Sequence, residues 1–73
     1  MLCLFHDARD KSGMRQAAVE ASMVQSVEGG KPFIRGEYIE CTTIWMLHQN
    51  RVYVKQSVED VVSVLNGTYF KEL

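Results

Sequence analysis

The chain has 73 residues, 47% of them apolar, with eight basic and nine acidic residues and a formal charge of −1. That length makes one domain, and a domain so small buries only roughly 60% of the surface its unfolded chain exposes, so an apolar excess of this size calls for a further interface. Balanced charge without a long run of either sign excludes a strong electrostatic footprint for nucleic acid or an anionic membrane.

Leu2 to His6 is a short apolar run that reads as a first strand, closed by the polar stretch Asp7 to Gly13, which reads as a solvated loop. The run is too short for a signal peptide or a membrane span, and nothing later reaches the ~18 apolar residues a span requires. Met14 to Glu28 admits two readings. Met14, Ala17, Ala18, Ala21 and Val24 fit a helical stripe, whereas Ala17, Val19, Ala21 and Met23 share one parity of two short strands. Gly29-Gly30 reads as a turn, and Pro32 marks an edge or a loop. Phe33 to Glu40 alternates loosely across Gly36 and predicts an extended, bulged arm.

The last third is the most regular. Thr42 to Leu47 and Arg51 to Gln56 are rich in β-branched and aromatic residues, and His48-Gln49-Asn50 between them predicts a hairpin loop. Ile44 and Met46 point one way and Thr43, Trp45 and Leu47 the other, so the first of these strands is apolar on both faces and belongs in the middle of a sheet. Ser57 then caps a helix, with Asp60 three residues on in a variant of the capping box. Val58, Val61, Val62 and Leu65 form its apolar stripe, and Asn66-Gly67 ends it. The predicted fold is mainly β, of the α+β kind. It is a small, strongly bent antiparallel sheet or partial barrel of about five strands, with one C-terminal helix over one opening or face. Residues 1–73 form one domain. Residues 68–73 form a tail whose Tyr69 and Phe70 are expected to dock on a neighbouring copy.

The succession of a short strand, a polar turn, the segment "AAVEASMVQSVE" and then "TTIWMLHQNRVYVKQSVEDVVSVL" resembles the FlbD family of small flagellar-operon proteins, also called the SwrD family. Val27-Glu28, Thr43-Ile44-Trp45-Met46-Leu47 and the stretch from Val54 to Val61 stand where that family carries its Val-Glu pair, its Thr-rich strand and its closing acidic segment. The resemblance covers most of the chain and implies two strands over Met14 to Glu28. It also implies a role through protein contacts without catalysis, in a flagellar setting or, for similar short proteins, a phage one. Two departures stand out: Gln49-Asn50-Arg51 replaces the family's Asn-Gly turn, and the arm from Gly29 to Cys41 is longer than the family's connection.

Candidate chemistry is sparse. His6, His48, Cys3, Cys41, Asp7 and Asp10 lack a metal-ligand spacing, and no metal or other cofactor is expected. Neither cysteine has a base beside it, and Glu40 next to Cys41 is expected to raise that thiol's pKa. Both cysteines fit small buried residues in a reducing, cytoplasmic setting. Gly29-Gly30-Lys31-Pro32 lacks the Lys-Ser or Lys-Thr of a phosphate loop, and Glu59-Asp60 offset the helix dipole. An enzyme is not expected. Two binding functions remain. The first is a protein-contact module that self-associates and binds another protein through the arm carrying Phe33, Arg35 and Tyr38 and through Tyr69 and Phe70. The second is a nucleotide or nucleic-acid binder using Arg35, Tyr38, Trp45, Arg51, Tyr53 and Lys55 as an aromatic and basic patch. The contact residues expected across both are Phe33, Arg35, Tyr38, Arg51, Tyr53, Lys55, Tyr69 and Phe70.

Overall fold

The computed structural model describes residues 2–66. Within them the order is β1 (Leu2–His6), β2 (Gln16–Glu20), β3 (Val24–Gly30), β4 (Phe33–Ile34), β5 (Glu37–Tyr38), β6 (Cys41–Met46), β7 (Arg51–Val54) and α1 (Val58–Leu65). The five longer strands carry the body, and β4 with β5 makes a small separate hairpin.

Strand β6 lies between β3 and β7, as its two apolar faces require, and β1 pairs with β2; all pairings are antiparallel. A single bridge, Asp7 to Val54, joins the two sheets. The Ala8 N–H donates to the Tyr53 carbonyl at 3.0 Å and the Lys55 N–H to the His6 carbonyl at 2.9 Å across the same seam. The strands therefore follow the order β2, β1, β7, β6, β3 around a sharp bend, and the two outer strands do not close into a barrel.

Helix α1 packs on β1 and β3 across the open side of the bend. Its start is the one read from the sequence: the Asp60 N–H donates to Ser57 Oγ at 3.1 Å. Val61 is fully buried, with Val58, Val62 and Leu65 half-buried beside it. The main core joins Cys3, Phe5, Val19, Ile44, Val54 and Val61. Full burial of each larger apolar side chain contributes about 1.5–3 kcal/mol, so this cluster dominates stability. Thr42, buried beside it, is satisfied through Oγ1 donating to the Gln56 carbonyl at 2.7 Å.

Met14 to Glu28 resolves as two strands joined by a short 3-10 turn, Ala21–Met23. Alanine's helical advantage is a few tenths of a kcal/mol per residue, less than the burial of Val19 against Cys3 and a five-residue ladder with β1. Four expectations are corrected. Gly29 and Gly30 are not a turn but the end of β3, paired with Thr42 and Cys41. The contact at 29 is close: a Cβ there would lie 3.1 Å from Val58 Cγ2, so a larger residue would push the Val58 methyl by a few tenths of an ångström. The bulge falls at Gln25, between the Val24 and Ser26 pairings, and not in the arm around Gly36. Asp7 and Ala8, expected in a solvated loop, are buried, because the seam with β7 runs through them. The last two strands also stop early, at Met46 and Val54, with the loop between them closed by the Met46 N–H donating to the Asn50 carbonyl at 2.7 Å.

Candidate functional site

The β4–β5 hairpin is where exposed chemistry collects. Its two central residues, Arg35 and Gly36, both have positive φ, 51° and 87°, which is the twist that two-residue hairpin loops favour. Glycine reaches that region freely, whereas an arginine there costs about 1 kcal/mol or more. Ile34 anchors the hairpin by burying its side chain in a second, smaller cluster with Ala8 and Cys41, flanked by Ile39 and Tyr53. The Ile39 N–H closes the base by donating to the Pro32 carbonyl at 3.1 Å. Because side chains alternate along a strand, anchoring Ile34 turns its neighbour Phe33, with Tyr38 opposite, the other way. Phe33 is 62% and Tyr38 72% exposed, and their rings meet edge to face at 5.0 Å.

The loop between β1 and β2 packs against this hairpin. Asp7, 4% exposed, is held by Arg9 three ways: the Arg9 N–H at 2.8 Å, Nε at 3.2 Å and Nη2 at 3.2 Å. That side-chain pairing, opposed by burial, keeps the Asp7 carboxyl below its ordinary pKa. The Asp10 carboxylate accepts from the N–H and Oγ of Ser12 and from the Arg15 N–H at 2.7 Å, which folds the loop on itself. Lys11 reaches across to Glu37 of the hairpin at 3.2 Å, a solvent-exposed pair of little energetic weight that marks where the two segments meet.

The residues expected from the sequence do not form one patch. Phe33, Arg35 and Tyr38 share the hairpin, and Lys55 lies near the loop, its Nζ against Gly13. Tyr53 is half-buried and packs against the smaller cluster beneath the hairpin. Arg51 is at the far end of β7, where its guanidinium lies over the Trp45 ring at 5.2 Å while Trp45 Nε1–H donates to Glu28 at 2.9 Å. Tyr69 and Phe70 lie outside the described residues. Asp7, Arg9 and Arg15 were missed as neighbours of the hairpin. The Asp7-x-Arg9 and Asp10-x-Ser12 spacings were the available signal, since Asp folds a loop by binding backbone two residues on.

Reactive groups are placed structurally. Cys3 and Cys41 are free and buried. Desolvation raises the Cys41 thiol, so burial and not the neighbouring Glu40 is the cause. The Gln56 amide donates to His6 Nδ1 at 2.8 Å and accepts from the His6 N–H at 3.1 Å, which ties that ring to the seam. Among the described residues no three metal-ligating side chains converge, and no helix is long and apolar enough to cross a membrane. Comparison with protein-family models, with curated proteins and with solved structures gives no match.

Proposed function

We propose that this chain is a small, non-enzymatic adaptor or regulatory protein that works through protein contacts and self-association. The observation that carries this reading is the Phe33–Tyr38 pair, two large rings held in water on a hairpin anchored by Ile34. Exposed aromatic rings beside an arginine are the residue types that dominate binding energy at protein interfaces. A second apolar surface, Leu2 and Leu4 on the outer face of β1, is 68% and 60% exposed and fits contact between copies. The resemblance to the FlbD/SwrD family supports the same kind of role, and two free buried thiols fit a reducing, cytoplasmic setting. The rival reading, a nucleotide or nucleic-acid binder of phage type, is less favoured, because two members of its expected patch are engaged with each other: the Arg51 guanidinium lies over the Trp45 ring, and Glu28 holds the indole N–H.

The test removes both rings with a Phe33→Ser, Tyr38→Ser double variant. The expected outcome is an assembly larger than a monomer by light scattering for the parent chain, and partner capture that falls at least tenfold in the variant while its melting temperature holds. A strict monomer that captures the same proteins with or without the rings overturns the reading.

A further inference from the structure

Loop 7–15 and the hairpin tip flank a cleft of about 170 Å³ lined by Asp7, Arg9, Asp10, Arg15 and Arg35. It has the space of roughly five or six waters. A census of charge around it is unequal. Arg9 is taken by Asp7, and Lys11 by Glu37. Asp10 is occupied by Ser12 and by the backbone of Arg15. Two guanidinium groups, those of Arg15 and Arg35, are left with no hydrogen bond or ion pair among the described residues, although each offers a planar fork of donors. Arg15 acts on Asp7 only through space.

A second observation is independent of the first. Arg35 stands in the left-handed region, at a turn position that glycine or asparagine fills at lower cost, and among the described residues its side chain makes no bond in return. Local strain without an internal return is found where a side chain must be presented outward.

We propose that this cleft binds a carboxylate from an acidic segment of a protein partner, with Arg15 and Arg35 as the receiving groups and Phe33 and Tyr38 meeting apolar residues beside it. The proposal rests on the protein-contact reading above and adds the chemistry of the partner. Carboxylate is favoured over phosphate by the lining itself: three guanidinium groups and two carboxylates leave one positive charge, which matches a monoanion and leaves Asp7 and Asp10 to repel a dianion or a phosphate chain.

Fluorescence anisotropy with labelled hexaglutamate tests it, with inorganic phosphate and a short single-stranded oligonucleotide as the other arms. Hexaglutamate is expected to bind in a salt-sensitive way and to weaken about tenfold in Arg15→Gln and in Arg35→Gln, the loss of one charge-assisted contact. Arg35→Gly separates the two observations, because it is expected to raise the melting temperature while losing the same tenfold in binding. Equal hexaglutamate binding by the parent, Arg15→Gln and Arg35→Gly overturns the proposal, as does no binding by the parent. If ring-dependent partner capture persists in that case, the protein-contact reading survives and only the acidic ligand falls. Oligonucleotide binding tighter than hexaglutamate, reduced by the same variants, overturns both.

Discussion

Two apolar clusters lie on opposite faces of β6, and they differ in what holds them. The larger, around Phe5, Ile44 and Val61, draws on four strands and the helix, and five of its side chains are essentially inaccessible to water. The smaller, around Ala8, Ile34 and Cys41, draws on a loop, a two-residue strand and the first residue of β6. The larger cluster makes the domain, and the smaller one only fixes a hairpin and a loop against it. Elements with few buried contacts open at lower free energy, and binding surfaces are drawn from them. The exposed aromatics and the strained arginine belong to the hairpin that the smaller cluster anchors, and Arg15, whose guanidinium has no hydrogen bond or ion pair among the described residues, lines the cleft beside it.

The largest expected effect breaks that comparison from both sides. Phe5→Ala should cost about 3–5 kcal/mol and lower the global melting temperature, whereas Ile34→Ala should cost about 2 kcal/mol. Hydrogen exchange should then show protection lost across every long strand in the first variant and in the hairpin and loop 7–15 in the second. Uniform loss in both would mean that the two clusters unfold as one unit.

The seam between the sheets gives the next effect. Asp7→Asn should cost about 1–3 kcal/mol at neutral pH, since the Arg9 donors lose their buried, charged acceptor and meet an amide NH2 in place of one oxygen. The folded pKa of Asp7 lies below the unfolded value, so its contribution is present above about pH 4 and is lost as pH falls through the folded value. Acid titration of stability should therefore be flatter below about pH 4 in Asp7→Asn than in the parent; parallel curves would show that Asp7 is not the linked group. Smallest of the three, Ser57→Ala should cost about 1 kcal/mol through the lost cap, read as a lowered denaturation midpoint with an unchanged slope.

How much of this was legible in the sequence follows from how local each signal is. Strand β1, the β6–β7 pair and the capped helix were readable because β-branched runs, a serine cap and a valine stripe act over a few residues. The alternatives over Met14 to Glu28 could not be separated by periodicity, since small alanines satisfy either spacing; pairing with β1 decided between them. Of the site, the hairpin residues Phe33, Arg35 and Tyr38 were legible as an exposed arm, but Tyr53 and Arg51 were assigned to the same patch because residue type carries no information about which end or face of a strand is covered.

The amino-acid order by itself thus determined the elements whose partners lie within a turn or two of the chain, together with a balanced charge and no apolar run long enough for a membrane-spanning helix. Tertiary structure alone decided that Gly29 and Gly30 extend a strand, with Gly29 beneath Val58, that Asp7 and Ala8 are buried in the seam, and that Arg15 and Arg35 line one cleft. The physical reason is the same each time: burial, register and charge pairing depend on neighbours many residues away, and a glycine or an aspartate is compatible with a turn or with a tight contact until those neighbours arrive.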